Sequence, residues 1–312
     1  MKYNIDKLFE SVKEKGHVCV GLDTCIDYVP PSQRRSAEND AKAVLLFNKA
    51  VIDATFDIAA CFKVQIAYYE EMGTEGLNTY SETLKYIKRK GCLSIADIKR
   101  GDIADTALRY AKAHFSGDFE ADFVTLNPYM GMDSVQPWIN EASSLGKGAF
   151  ILMKTSNPGM NDFECLEISV YKEKSRFVYD AVGTKMSSLA QQFKGSNGYG
   201  IFGIVVGCPP VSKTGLQDAQ ENEAVRIRNK YPDLFFLIPG YGAQGGGAAD
   251  AAFLLREGNG GVVNASRSII NAWQSLNNCD EIIKKADNSF AASEARKAAI
   301  KMRDEILLAI SA

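Results

Sequence analysis

Short apolar runs rich in β-branched residues recur along this chain, and longer stretches with helical periodicity lie between them. Strands separated by a helix cannot turn back as hairpins; they pair in parallel, so the alternation demands repeated β-α units. The apolar runs fall at residues 18–23, 60–65, 93–99, 123–127, 149–154, 200–206, 234–239 and 261–265. Helical stretches fall at 37–56, 75–90, 103–115, 134–144, 178–193, 215–230, 247–257 and 293–308. Eight strands, each with its helix, can close on themselves, whereas a doubly wound open sheet has fewer strands and a glycine-rich first turn. Here the first run ends in Gly21-Leu22-Asp23-Thr24, without a G-x-G-x-x-G turn. The expected fold is an α/β (β/α)8 TIM barrel, a single domain over residues 1–312 with a helix before the first strand. A long polar stretch, 157–176, follows the fifth strand on the side where barrel active sites lie, and is a candidate lid.

Composition excludes several classes of function. No run approaches the roughly 20 apolar residues that span a bilayer, so no membrane role is expected. Residues 1–16 carry interspersed Lys2, Asp6, Lys7, Glu10, Lys13, Glu14 and Lys15, unlike a secretory leader. The seven cysteines are odd in number and lack C-x-x-C spacing, which fits reduced thiols in a cytoplasmic protein. With 36 basic and 38 acidic residues and no charge block, no nucleic-acid surface is expected, and an anionic ligand has to be bound locally. The two histidines, His17 and His114, form no cluster, and read as structural or solvent-facing. Neither a metal nor any other cofactor is expected.

The polar residues that matter in a barrel stand at the carboxyl ends of its strands. The first strand ends at Asp23, the second carries Lys63 and Gln65, and the third carries Asp97 and Lys99 with Asp102 just beyond. Residues two apart on a strand share a face, so Asp97 and Lys99 are expected to point together into the mouth. Buried charges of opposite sign must compensate one another, and Lys63 and Asp102 are expected to extend the array. Such an array could serve structure alone, as an ion-pair network at the rim. After the seventh strand, Pro239 to Gly247 is rich in glycine, and Arg267 follows the eighth, where barrels commonly hold phosphate.

The segment Ala96-Asp97-Ile98-Lys99-Arg100-Gly101-Asp102-Ile103-Ala104-Asp105-Thr106 resembles the D-x-K-x-x-D signature of orotidine monophosphate decarboxylases, including the threonine four positions after the last aspartate. Sugar-phosphate decarboxylases share the bare signature, but further matches occur in order. These are Gly21-Leu22-Asp23, Phe62-Lys63, Asn127-Pro128-Tyr129-Met130-Gly131, Lys154-Thr155-Ser156-Asn157-Pro158, Pro239-Gly240 to Gln244, and Ser266-Arg267-Ser268. They are similar to the longer monofunctional members of that family, with no room for a fused phosphoribosyltransferase. The resemblance implies a cofactor-free decarboxylation in which Lys99 stabilises and protonates the C6 carbanion, with Asp97, Lys63 and Asp102 completing the catalytic array. It further implies that Asp23 and Lys63 hold ribose hydroxyls, Ser156 reads the pyrimidine edge, and Gln244 and Arg267 bind the phosphate of orotidine 5′-phosphate. It implies a homodimer in which Asp102 and Thr106 reach the neighbouring site. Three rivals stay open on the residues alone: a magnesium-dependent sugar-phosphate decarboxylase, a Schiff-base aldolase using Lys99 or Lys154, and a silent nucleotide-binding barrel.

Overall fold

A computed structural model describes residues 3–169, 177–208, 223–242, 245–275 and 286–312. The strands are β1 (Val18–Gly21), β2 (Cys61–Gln65), β3 (Ser94–Arg100), β4 (Phe123–Leu126), β5 (Gly148–Lys154), β6 (Phe202–Val206), β7 (Phe236–Ile238) and β8 (Gly261–Ala265). They close in sequence order into a barrel, every neighbouring pair parallel, with β8 returning to β1 through Val18↔Val263 and Cys19↔Asn264. The strands are buried on both faces because one side fills the barrel and the other meets helices, and continuous apolar runs are the result. Close packing shows at Gly203 of β6, where a Cβ would lie 2.2 Å from the Phe235 carbonyl oxygen. Only glycine fits there.

The principal helices are α1 (Asn4–Lys15), α2 (Asp40–Thr55), α3 (Gly73–Arg89), α4 (Ala104–Phe115), α5 (Met132–Leu145), α6 (Val178–Ala190), α7 (Glu223–Lys230), α8 (Ala248–Ala252) and α9 (Asn288–Ser311). Local sequence sets their ends. Asn39 caps α2 by accepting from the Lys42 amide, Asp287 caps α9 by accepting from the Phe290 amide, and Gly146 ends α5 in the left-handed region at φ 71°. Helix α1 buries Ile5, Leu8 and Val12, and its Asn4 side chain donates to Asp122 ahead of β4, so it covers the end of the barrel opposite the mouth. Among the described residues no helix is long and apolar enough to cross a membrane.

All eight expected strands are present. The helix expected at 247–257 is shorter, Ala248–Ala252, and it begins straight after a glycine run. Residues 215–222 of another expected helix lie outside the described residues, as do 170–176 of the stretch after β5. The described part of that stretch folds back on itself. The Thr155 amide donates to Glu164 at 2.7 Å, and a helical turn runs from Met160 to Phe163. The histidines face the interior rather than solvent: His17 and His114 are 2% and 3% exposed. His114 stacks on Trp138, and burial, with a smaller contribution from Arg100, lowers its pKa to about 4.

Candidate active site

The ends of β1, β2 and β3 place four charges within contact of one another. Lys63 donates to Asp23 at 3.0 Å and to Asp97 at 2.9 Å, and Lys99 donates to Asp97 at 2.7 Å. Asp97 also accepts from Gln65 at 3.0 Å and from Thr125 of β4 at 2.8 Å. Each of its carboxylate oxygens therefore has two donors: Lys99 and Thr125 on Oδ1, Lys63 and Gln65 on Oδ2. An ionised carboxylate offers about four acceptor sites, so Asp97 is saturated by the protein itself.

Burial alone would raise the Asp97 carboxyl, but the ammonium groups of Lys63 and Lys99 outweigh it and hold the group far below the usual carboxylate range. For Lys63, burial works to remove the proton, and the carboxylates of Asp23 and Asp97 overcome it and push the amine well above its ordinary value. The charges hold each other in place. Removing a buried member such as Lys63 typically costs about 3–5 kcal/mol, because its partners are left charged and dry, whereas loss of the half-exposed Lys99 leaves an Asp97 that three other donors still satisfy. Lys99 differs from Lys63 in access, with a side chain 46% exposed against 5%. Both line the cavity, but Lys99 is the more accessible of the two cations.

A cavity of about 400 Å³ opens over this array, lined by Asp23, Lys63, Asp97 and Lys99 on one side and by Ser156 and Arg267 on others. Ser266 donates to the second oxygen of Asp23 at 2.9 Å, tying the end of β8 to that of β1. Arg267, next along, is exposed and makes no ion pair with another described residue. Asn264 of β8 lines the same cavity with a buried Oδ1 that lacks a partner. Gln244 lies outside the described residues.

Two expected members stand elsewhere. Asp102 does not join the array of its own chain; its Oδ1 accepts from the Ile103 amide at 2.8 Å. The chain leaves β3 after Arg100, and neither Asp102 nor the exposed Thr106 lines the cavity. Lys154 is also outside the mouth. Its amine is buried against α7, 3.0 Å from Glu223, so it is no free nucleophile. The sequence reading missed Thr125 and Asn264 and assigned Gln65 no role, since uncharged side chains carry no signal until a fold shows what they touch.

Residues 16–282 match the model of a family described as orotidine 5′-phosphate decarboxylase / HUMPS. A protein from Clostridium kluyveri named orotidine 5′-phosphate decarboxylase is 49% identical over 305 residues, 97% of each chain. One of the same name from Clostridium perfringens is 50% identical over 305 residues, 98% of each. Among solved structures, the orotidine monophosphate decarboxylase of Leishmania donovani superposes with a TM-score of 0.71 at 30% identity, covering 99% of this chain and 100% of that one.

Proposed function

The chain belongs to the orotidine 5′-phosphate decarboxylase / HUMPS family, and we propose that it converts orotidine 5′-monophosphate to uridine 5′-monophosphate and carbon dioxide, the last step in making UMP de novo. The relatives that match it end to end carry that activity in their names, which favours this reaction over that of a sugar-phosphate decarboxylase. The observation that carries the mechanism is the reachable ammonium of Lys99 held 2.7 Å from a carboxylate already saturated by the protein.

The substrate phosphate binds Arg267 and Gln244, Asp23 and Lys63 take ribose hydroxyls, and Ser156 reads the pyrimidine edge. The substrate carboxylate then lies beside Asp97, whose charge cannot be relieved by protonation. The bond from C6 to the carboxylate carbon breaks, carbon dioxide leaves, and the electron pair stays on C6. The Lys99 ammonium stabilises that pair and gives C6 its proton, leaving a neutral amine that solvent reprotonates. No step calls for a metal or cofactor.

Asp102 and Thr106 act in the site of a second copy, so the working unit is a homodimer. Their placement supports this: neither lines its own cavity, and the large apolar residues Ile103, next to Asp102, and Tyr129 and Met130, after β4, are 49%, 84% and 49% exposed. Large apolar side chains exposed to this degree suit burial against a partner. The enzyme acts as one domain in the cytoplasm.

The direct test of the mechanism is Lys99→Ala. Turnover of orotidine 5′-phosphate should fall by at least about 10³-fold, the combined worth of a general acid and a preorganised charge. Melting temperature and uridine 5′-monophosphate binding should change little, because Lys63, Gln65 and Thr125 still hold Asp97. A Lys99→Ala protein that keeps the parent rate contradicts the assignment.

A further inference from the structure

Strand β3 departs from a regular ladder where its chemistry begins. Ala96 pairs with Val124 and Arg100 with Leu126, so Asp97, Ile98 and Lys99 together face the single residue Thr125. The chain absorbs the excess by putting Lys99 at φ 43°, a left-handed conformation that residues with a Cβ rarely adopt. A bulge of this kind leaves backbone amides without ladder partners, and this one is in the interior.

Thr125 supplies what the ladder lacks. Its hydroxyl oxygen accepts from the Ile98 amide and from the Lys99 amide, each at 3.0 Å, and its proton goes to Asp97 Oδ1 at 2.8 Å. A hydroxyl has one donor and two acceptor positions, so all three are in use. The residue is 1% exposed, so these bonds are largely shielded from solvent. The oxygen of Asp97 that receives this bond is the one that receives Lys99 Nζ. One hydroxyl therefore fixes the backbone from which Lys99 projects and the carboxylate against which its amine rests.

We propose that Thr125 is a positioning residue for the reaction: its hydroxyl holds the left-handed bend at Lys99 and the Asp97 carboxylate in one geometry, and thereby sets where the Lys99 ammonium stands relative to the substrate. The inference rests on the decarboxylase reading of the site. Thr125 lines the cavity, but its hydroxyl is fully engaged by the Ile98 and Lys99 amides and by Asp97, so its role runs through Asp97 and Lys99.

The test compares the parent with Thr125→Val, which keeps the shape and removes the hydroxyl, and with Thr125→Ser, which keeps the hydroxyl. Steady-state turnover of orotidine 5′-phosphate and equilibrium binding of uridine 5′-monophosphate are measured for each. The expected result for Thr125→Val is a fall in kcat of roughly 10- to 100-fold, as for a displaced catalytic group, with product affinity within about threefold, since phosphate, ribose and base contacts lie elsewhere. Thr125→Ser should recover kcat to within a few fold. If Thr125→Val does not fold, Thr125→Ala against Thr125→Ser isolates the same hydroxyl, with Ser active and Ala impaired. Equal kcat in the variants with and without the hydroxyl overturns the inference. So does a parallel loss of kcat and product affinity, which marks a scaffold residue, or a folded Thr125→Ser protein that fails to recover. A parent protein that does not turn over orotidine 5′-phosphate sinks the decarboxylase reading instead, so the two failures are distinct.

Discussion

Arg267 stands exposed at the end of β8 without an ion pair to another described residue, whereas Lys63 is engaged by Asp23 and Asp97 at once. The first side chain is open to an anionic ligand, while the second already bridges two carboxylates. Arg267→Ala should therefore raise the KM for orotidine 5′-phosphate by roughly 10- to 100-fold, the worth of a charge-assisted bidentate contact, and leave kcat within a few fold. Steady-state kinetics checks this; an equal loss in both parameters would mean that phosphate binding also drives formation of the reactive geometry. Charged residues at strand ends were legible from spacing alone, since Asp97 and Lys99 share a strand and a motif. Their common direction was expected from regular two-residue alternation, yet the chain reaches it through a bulge and a left-handed Lys99. Thr125 was illegible for the same reason: nothing in a β-branched residue within an apolar run distinguishes a strand former from a hydroxyl that bridges three groups.

At the scale of the element, the eight strands could be read because both of their faces are buried and their apolar runs are unbroken. Helix limits were less legible than the strands. The helix after β7 begins past a run of glycines that hold no helix, and it ends at Ala252 rather than at 257. Helix α4 carries His114 on its inner face, stacked on Trp138, with Nδ1 buried and unpartnered. Its pKa, lowered by burial to about 4 from 6.5, means that the unfolded chain takes up the proton first as pH falls. Stability from this group is thus complete above pH 6.5 and is lost as pH drops from 6.5 toward 4, by about 3 kcal/mol in total. Urea unfolding at pH 7 and pH 4.5 should show a smaller acid-induced loss in His114→Phe than in the parent, by roughly 2–3 kcal/mol. Identical losses in the two proteins would mean that His114 is protonated in the folded state.

For the molecule as a whole, the closed barrel follows from the count and order of its strands, and the cavity sits at the carboxyl ends of those strands as the topology requires. A single chain gathers less of the charge array than the motif suggests, because neither Asp102 nor Thr106 lines its own cavity. Sequence spacing records that Asp102 follows Lys99, but not where the turn after β3 places it. Decarboxylation by this protein is tested most directly by following the ultraviolet absorbance of orotidine 5′-phosphate with the purified protein in the presence of a metal chelator. Conversion to uridine 5′-phosphate at an undiminished rate in the chelator is the predicted result; a folded, dimeric protein that leaves the absorbance unchanged, or that acts only after magnesium is added, would contradict it.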